Sequence, residues 1–422
     1  MAARRLPLLV LIISFFLTAA AAYAAERPRF LRATMSRTEP AINFIRAAHK
    51  SHQRLSMLAA RLDAAASGGG AQAPLQLDGG GGAYDMTFSI GTPAQTLSAL
   101  ADTGSDLIWA KCGPCAQCAP QGSPSYYPNA SSSFSKLLCS DRLCGNLESQ
   151  SLASCVGAGA GAGAGECDYR YTYGLSARSH HYTQGYLATE TFTLGGAAVP
   201  GIGFGCTNMS EGGYGSGSGL VGLGRGPLSL VSQLGAGAFS YCLTTDASKT
   251  SPLLFGSGAA LSGAGVQSTP LLQDSTFYSV NLKTISIGGA SSPGTGSGGI
   301  VFDSGTTVAF LAEPYYSVAK AALLLQAGNL TLAPGRDGYE VCFQTSGGEV
   351  FPTMVLHFDG GADMALPTEN CYGEMVSGVT CWIVQKSPSL SIIGNIMQMS
   401  FHIRHDVANS VLSFQPANCD SL

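Results

Sequence analysis

The sequence ADTGS at residues 101–105 recurs in altered form as FDSGT at residues 302–306. A single Asp-Thr-Gly or Asp-Ser-Gly triplet is usually an ordinary turn. Here each triplet follows an apolar run, and a second apolar run that ends in glycine comes later, LVG at 220–222 and IIG at 392–394. This internal repeat predicts two related lobes that each present one carboxylate, Asp102 or Asp303.

Two carboxylates presented in this way suit peptide hydrolysis without a metal or a covalent intermediate. Such a reaction needs a base that activates water and an acid that protonates the carbonyl oxygen and then the leaving amine. Like charges held close together cannot both ionise, so two carboxylates that share one proton supply both roles. Glycine at 104 and 305 lets the turns approach each other. Hydroxyls that can hold the carboxylates in place follow or precede these glycines: Thr103, Ser105, Ser304 and Thr306.

The remaining sequence favours a mostly β protein with many turns. Charged residues make up only 11% of the 422 residues, and there are 55 glycines. Residues 84–90 alternate apolar with polar side chains, and the Gly-Thr-Pro sequence at 91–93 then turns the chain. The best helix candidate downstream is 314–327, which begins with proline. Its predicted apolar face consists of Tyr315, Val318, Ala322 and Leu325.

The N-terminus has the features of a secretory signal. Arg4 and Arg5 precede an apolar run at 6–17, and the small-x-small sequence at 22–24 predicts cleavage after Ala24. The alternative is a membrane anchor, since residues 6–25 could nearly span a bilayer.

A basic segment follows the signal and ends in a flexible Gly68–Gly70 linker. Residues 1–71 contain 10 Lys and Arg against 3 Asp and Glu, whereas the rest contains 12 against 23. This split suggests a pro-segment that electrostatic attraction holds on an acidic body. The alternative is a disordered, solubilising tail. Apolar residues at helical spacing favour an amphipathic helix instead: Ile42, Ile45, Leu55, Leu58 and Leu62.

Thirteen cysteines follow the signal, and in the secretory pathway that number indicates disulfides with one thiol left over. The Cys-x-x-Cys-x-x-Cys run at 112–118 could be read as a zinc site, but an oxidising compartment favours bridges. The composition of the Gly-Ala run at 157–165 predicts a mobile loop. The alternative, a nucleotide-binding glycine loop, is rejected because no strand-to-helix context surrounds the run. Three Asn-x-Ser/Thr sequons are compatible with glycosylation: Asn129, Asn208 and Asn329.

Residues 84–422 resemble the pepsin family of aspartic proteases, and specifically its plant nepenthesin-like branch. The resemblance lies in DTGSDLIW (102–109), the cysteine run at 112–118, GLVGLGRGPLS (219–229), FSYC (239–242), FDSGTT (302–307) and IIGN (392–395). Proton sharing between two aspartates is the established chemistry of that family. The basic segment also resembles the pro-segments of the family.

The resemblance implies a bilobal β fold with a long cleft between the lobes and a few short helices. It implies a β-hairpin flap over the cleft, with Tyr173 as the flap tyrosine and Trp109 as its hydrogen-bond partner. The sequence departs from the family at 175–182, where LSARSHHY replaces a Gly-Asp-Gly-Ser-like flap. His180 and His181 in that stretch are expected to be solvated loop residues, and the alternative is contact with substrate.

The resemblance also implies a disulfide framework, which the spacing alone cannot choose. Cys371 has no partner in it. The implied pairs are Cys112 with Cys115, Cys118 with Cys206, Cys139 with Cys167, Cys144 with Cys155, Cys242 with Cys419, and Cys342 with Cys381.

Four segments are expected: a signal peptide at 1–24, a basic pro-segment at 25–75, an N-terminal lobe at 76–250 and a C-terminal lobe at 251–422. The expected function is that of a secreted aspartic endopeptidase, made as a precursor and active at acidic pH. The alternative is a catalytically inactive pepsin-fold binding protein, such as the plant xylanase inhibitors.

The expected partners are protein or peptide substrates, with the pro-segment as an intramolecular inhibitor. The mature form is expected to be a monomer with no cofactor, no membrane and no nucleic acid, since the body is acidic. Extracellular space is favoured over the vacuole as the destination, and residues 418–422 contain no retention tetrapeptide.

Overall fold

The computed structural model describes residues 30–67, 82–119, 122–157, 165–172, 182–211, 217–273 and 276–422. The signal peptide, the glycine linker, most of the Gly-Ala run, Tyr173, His180 and His181 lie outside the described residues, so the predictions made for them stay predictions.

Five α-helices lie within the described ranges. They are α1 (Phe44–Ser67), α2 (Arg142–Glu148), α3 (Leu230–Leu234), α4 (Tyr315–Gln326) and α5 (Asn395–Gln398).

Strands dominate the described chain, as predicted. The first fourteen are β1 (Phe30–Arg37), β2 (Tyr84–Ile90), β3 (Gln95–Asp102), β4 (Trp109–Lys111), β5 (Ser135–Lys136), β6 (Ala153–Val156), β7 (Glu166–Thr172), β8 (Tyr182–Leu194), β9 (Ala197–Glu211), β10 (Gly219–Gly222), β11 (Ala238–Cys242), β12 (Thr250–Gly256), β13 (Gln267–Pro270) and β14 (Ser279–Val280). The others are β15 (Leu282–Ile287), β16 (Ala290–Pro293), β17 (Ile300–Phe302), β18 (Ala309–Ala312), β19 (Leu332–Ala333), β20 (Cys342–Gln344), β21 (Met354–Phe358), β22 (Asp363–Leu366), β23 (Tyr372–Val376), β24 (Val379–Trp382), β25 (Val384–Ser387), β26 (Ile392–Ile393), β27 (Phe401–Asp406) and β28 (Val411–Pro416).

The largest sheet runs in the order β13-β28-β27-β11-β12-β1-β2-β3-β10-β4-β9-β8-β7-β6, with β5 paired to β8. It contains the first Asp-Thr-Gly turn, and its β27–β28 hairpin comes from the C-terminal end of the chain. Three smaller sheets, of five, four and four strands, are built from residues beyond 278 and contain the second turn. Alternating burial shows which strand faces form the core: in β21, Met354, Leu356 and Phe358 are buried while the residues between them are partly exposed.

The internal repeat is confirmed by strand pairing. β10 lies parallel to β3, with Val221 opposite Ala101 and Gly222 opposite Asp102. In the second half, β26 lies parallel to β17, with Ile393 opposite Phe302. Each aspartate therefore follows a strand that a later apolar strand flanks, and this places the two turns in equivalent positions of the two lobes.

Strand β1 lies inside the large sheet although it belongs to the basic segment. Its residues pair antiparallel with β12 from Phe30↔Gly256 to Ser36↔Thr250, and its second half pairs with β2. The buried side chains of β1 are Leu31, Ala33 and Met35, which alternate with more exposed ones. Together with helix α1, this strand excludes a disordered tail for residues 30–67.

Helix α4 begins after Pro314, as predicted, but the predicted apolar face is wrong. Tyr316, Ala319 and Leu323 are the buried residues. Val318 is 41% exposed and Leu325 is 76% exposed. The helix is apolar on several sides, so periodicity alone does not choose a face. In the structure, the buried face of the helix is the one on which Tyr316 stacks on Trp382, with ring centroids 5.7 Å apart.

Six disulfides are formed, and Cys371 is a buried free thiol, as predicted. Cys242–Cys419 and Cys342–Cys381 confirm two predicted pairs. The other four predicted pairs, Cys112–Cys115, Cys118–Cys206, Cys139–Cys167 and Cys144–Cys155, are wrong. The observed bridges are Cys112–Cys206, Cys115–Cys118, Cys139–Cys155 and Cys144–Cys167.

Strand pairing and burial explain the corrected bridges. Parallel pairing of β4 with β9 sets Ala110 opposite Cys206, so Cys112 at the end of β4 is the cysteine within reach, with a Cα–Cα distance of 5.4 Å. Cys144 on α2 and Cys167 on β7 are both fully buried and pair there. Cys155 is exposed on the edge strand β6, so it pairs with Cys139 on the outer side.

Within the described residues, no helix is both long enough and apolar enough to cross a membrane.

Candidate active site

The Asp102 carboxylate is held by its own turn at the end of β3. Gly104 N donates to Asp102 Oδ1 at 2.9 Å, and the Ser105 hydroxyl donates to Oδ2. The residue is fully buried. Both oxygens therefore have a donor from within three residues, which fixes the orientation of the carboxylate.

The second turn repeats this arrangement around Asp303. Gly305 N donates to Asp303 Oδ1 at 3.0 Å, and Thr306 Oγ1 donates to Oδ2 at 2.5 Å. Asp303 is also fully buried. In addition, Asn395 Nδ2 donates to the carbonyl oxygen of Ser304 at 3.0 Å, which ties the turn to helix α5.

Reciprocal hydrogen bonds join the two turns. Thr103 N donates to Ser304 Oγ at 3.1 Å, and Ser304 N donates to Thr103 Oγ1 at 2.9 Å. Each hydroxyl then donates across to the other lobe: Ser304 Oγ to Ala101 O at 3.0 Å and Thr103 Oγ1 to Phe302 O at 3.2 Å. The predicted supporting hydroxyls thus hold the two lobes in register at the carboxylates.

Glycine at 104 and 305 is required by the close approach of the turns. A Cβ on Gly104 would lie 2.7 Å from Asp303 Oδ1, and one on Gly305 would lie 2.5 Å from Asp102 Oδ1. Real Cβ atoms do not come that close, so each carboxylate occupies the space that a side chain of the opposite turn would need. The geometry confirms the sequence argument that these glycines allow approach.

The guanidinium of Arg54, on helix α1, lies between the two carboxylates. Its Nε donates to Asp303 Oδ2 at 3.0 Å, and its Nη2 contacts both Asp303 Oδ1, at 3.2 Å, and Asp102 Oδ1. The Arg54 side chain is only 7% exposed. One nitrogen atom is therefore within hydrogen-bond reach of both carboxylates.

Burial and charge separate the two carboxyl groups. Burial raises the pKa of Asp102 above its ordinary value, and the charge of Asp303 adds to this, while Arg54 acts in the opposite direction. Burial also acts to raise the pKa of Asp303, but the Arg54 charge and the hydrogen bonds from Arg54, Thr306 and Gly305 outweigh it. The pKa of Asp303 therefore lies below its ordinary value. While Arg54 is in place, the two carboxyl groups therefore differ in environment.

Helix α1 crosses the cleft and contacts both lobes. On one side, Ser51 Oγ accepts from Thr307 N at 3.2 Å and from Val308 N at 3.1 Å. On the other, the Arg61 guanidinium donates to Gly104 O and to Asp106 Oδ2, both at 2.6 Å. The basic segment thus covers the carboxylates with helix α1, which contacts the two turn regions through Ser51, Arg54 and Arg61.

Two family models match successive parts of the chain. A family model described as "Xylanase inhibitor N-terminal" matches residues 84–257, and one described as "Xylanase inhibitor C-terminal" matches residues 277–416. "Aspartic proteinase nepenthesin-1" of Nepenthes gracilis is 40% identical over 393 residues, which cover 89% of this chain and 85% of the relative. "Aspartic proteinase nepenthesin-2" of the same plant is 38% identical over 394 residues, with the same coverage. The chain belongs to the nepenthesin-like branch of the pepsin family.

Solved structures show the same fold for this nepenthesin-like chain. "Crystal structure of Basic 7S globulin from soybean" matches with a TM-score of 0.64 at 19% identity, over 83% of this chain and 98% of that one. "Crystal structure of edgp" matches with a TM-score of 0.65 at 19% identity, over 94% and 96%. At this identity the likeness shows a bilobal pepsin-like fold, and the aspartic proteinase names of the closer relatives support a protease.

The remaining predicted site residues are placed as follows. Trp109 is buried on β4, where it lies opposite Leu220 of β10. Tyr173 is outside the described residues, so its role in the flap stays a prediction. The three sequon asparagines, Asn129, Asn208 and Asn329, are all exposed, as a glycan would require.

Two arginines and one aspartate of this nepenthesin-like site were not predicted from the sequence. Arg54 and Arg61 were grouped with other basic residues, although their spacing of seven puts both on one helix face. Asp106 directly follows the quoted motif and was not singled out. A search for basic residues at heptad spacing upstream of the motif would have pointed to the two arginines.

Proposed function

We propose that this chain is the precursor of a secreted aspartic endopeptidase in which Asp102 and Asp303 activate a water molecule. The observation that carries the proposal is that Arg54 Nη2 contacts both carboxylates at once. A water molecule in the place of that nitrogen would reach both groups in the same way. This is the position from which one water can be activated by a pair that shares a proton.

In this reaction the ionised carboxylate accepts a proton from the water, whose oxygen attacks the peptide carbonyl carbon. The protonated partner donates to the carbonyl oxygen, and the leaving amine then takes a proton as the carbon–nitrogen bond breaks. The turn donors, Gly104 N and Gly305 N, hold the carboxylates throughout. Because the two carboxyl groups interact, the two apparent pKa values of the reaction describe the pair and are not assigned to either residue alone.

The precursor state is proposed from the position of helix α1. While Arg54 pairs with both carboxylates, water and substrate are excluded from the space between them. Acidification protonates the carboxylates and weakens this pairing, so the segment at 25–75 can leave or be cut near the Gly68–Gly70 linker, and mature chains should begin at about residues 70–83. The lobes at 76–250 and 251–422 then form the mature enzyme, with Tyr173 proposed to close over bound substrate and Trp109 to support it.

The test acidifies the purified full chain and offers it a denatured protein. Cleavage that a transition-state-like aspartic protease inhibitor blocks is the expected result. If no substrate is cut at any acidic pH and the inhibitor does not bind, the endopeptidase proposal is wrong.

The second candidate is an inactive binding protein, which the names of the matching family models suggest. The complete set of carboxylates, turn donors and cross-lobe hydroxyls disfavours it. Retained peptidase activity would exclude this candidate. A protein that cleaves nothing but forms a stable complex with a xylanase would establish it.

A further inference from the structure

The guanidinium of Arg61, also on helix α1, occupies a pocket of its own beside the carboxylate pair. Arg61 donates to the Asp106 carboxylate and to the Gly104 carbonyl oxygen, and its Cζ lies 5.2 Å from the centroid of the Phe277 ring. The Arg61 side chain is 26% exposed and that of Asp106 is 14% exposed. A carboxylate, a carbonyl and an aromatic face thus surround one cationic group, which is the chemistry that recognises guanidinium and ammonium ions.

The Asp106 carboxylate is held in place by a glycine-rich stretch. Gly226 N donates to Asp106 Oδ1 at 2.8 Å, which leaves Oδ2 for Arg61. A Cβ on Gly226 would lie 2.7 Å from the carboxylate, and Cβ atoms on Gly222 and Gly224 would also collide with Asp106. The backbone therefore closes around the aspartate and fixes the direction in which it presents its charge.

Another cation close to this pocket is held by different partners. Arg225 Nη1 donates to the carbonyl oxygens of Leu272, at 2.7 Å, and Phe277, at 3.3 Å. Asp106 is paired by Arg61, and that arginine belongs to the segment proposed to leave on activation. After the segment leaves, the pocket retains its negative charge and aromatic wall and loses its cation.

We propose that the pocket formed by Asp106, the Gly104 carbonyl and Phe277 is a specificity subsite that selects an Arg or Lys side chain of the substrate. This inference rests on the proposed endopeptidase function, because a subsite has meaning only if the cleft binds substrate. In the precursor, Arg61 occupies the subsite as an internal mimic of that side chain.

The position of the selected residue follows from helix geometry. Arg54 and Arg61 are seven residues apart, or about 10 Å along a helix. An extended peptide covers that distance in about three residues. Gly104 also belongs to the Asp102 turn, since its N donates to Asp102 Oδ1. The basic side chain therefore lies at one fixed position within about three residues of the cleaved bond.

The experiment uses the activated enzyme and matched peptides that differ at one position, scanned over three residues on each side of the cut. Arginine is compared with citrulline, which keeps the shape and removes the charge, at one fixed pH at which the enzyme is active. We expect one position at which kcat/KM for arginine exceeds that for citrulline at least about tenfold, the effect of one charge-assisted hydrogen-bonded pair. In Asp106→Asn this ratio should fall to near one.

The outcomes separate the two proposals. If the parental enzyme cuts peptides but shows no arginine preference at any position, or keeps the preference in Asp106→Asn, the subsite is wrong and the endopeptidase stands. If the parental chain cuts no peptide under any condition, the endopeptidase proposal fails and the subsite fails with it. The arginine–citrulline comparison on the parental enzyme needs no variant, so poor folding of a variant does not obscure the result.

Discussion

Replacing Arg54 with glutamine in the full-length precursor should expose the carboxylate pair without removing the pro-segment. The substitution removes the contacts of Arg54 Nε and Nη2 with Asp303 and Asp102 and leaves the remaining contacts of helix α1 intact. Because Ser51 and Arg61 still contact the two lobes, the helix should stay docked for part of the time. The measured quantity is the fraction of molecules in which the pair is accessible.

The size of the effect follows from the burial of the ion pair. Breaking a buried pair by removing one partner costs about 3–5 kcal/mol. The lower end applies here, since the freed carboxylates can take up a proton and water. A cost of about 3 kcal/mol shifts the docking equilibrium by about 100-fold.

The assay titrates uncleaved precursor with a fluorescent transition-state-like inhibitor at neutral pH, after intact mass has shown that the chain is whole. Arg54→Gln should bind the inhibitor about 100-fold more tightly than the parental precursor. The matched control is Arg46→Gln, because Arg46 is 45% exposed and pairs with Glu39 of its own segment. That variant should differ from the parent by less than about twofold, as is typical of exposed pairs. Equal affinities for parental and Arg54→Gln precursors would refute the reasoning.

The same assay tests the pH dependence. Arg54 lowers the pKa of both carboxyl groups, so the docked state binds fewer protons than the open state, and docking weakens as pH falls. As the pH falls, the loss of docking should begin above pH 3.8 with protonation of Asp102, whose pKa is raised by burial. It should be complete below pH 3.8 with protonation of Asp303, whose pKa is lowered. The inhibitor affinity of the parental precursor should rise through this window, and that of Arg54→Gln should change much less.

Three further predictions concern the pair and the free thiol. Asp102→Asn or Asp303→Asn should abolish peptidase activity with little change in unfolding temperature, because the amide keeps the shape but cannot share the proton; near-parental activity in either would contradict the dyad. Gly305→Ala places a Cβ 2.5 Å from Asp102 Oδ1, so the carboxylate must move and kcat/KM should fall about 100-fold, whereas an unchanged rate would show that the turn is slack. Cys371 is 1% exposed, and burial raises its pKa, so mass spectrometry should find no alkylated thiol in the native protein and one after unfolding without reduction; labelling of a second cysteine would show an open bridge.

The carboxylate pair could be predicted from the sequence because its chemistry is local. The Asp-Thr-Gly-Ser and Asp-Ser-Gly-Thr turns contain the carboxylates, the backbone donors and the hydroxyls within five residues each. The repeat also predicted two related lobes, and the structure adds that the later apolar run of each pairs parallel with the strand before the aspartate, β10 with β3 and β26 with β17. Such features need no knowledge of distant contacts.

The features that the sequence did not predict depend on contacts between distant residues. The buried face of helix α4 depends on the ring of Trp382, 66 positions after Tyr316. The bridge from Cys112 depends on the pairing of β4 with β9, and Arg54 is distinguished from other arginines only by its placement between the lobes. The spacing of residues along the sequence predicts none of these three contacts.

Strand β1 gives the precursor a second attachment that differs in kind from the arginine contacts. Its hydrogen bonds to β12 and β2 join backbone amides and carbonyls, which do not titrate in the acidic range. Acid can therefore uncover the carboxylates while leaving the N-terminal peptide in the sheet, even after a cut between Ser67 and Gly82. Activity and peptide dissociation therefore become separate events, because protonation that uncovers the carboxylates does not break the backbone pairing of β1.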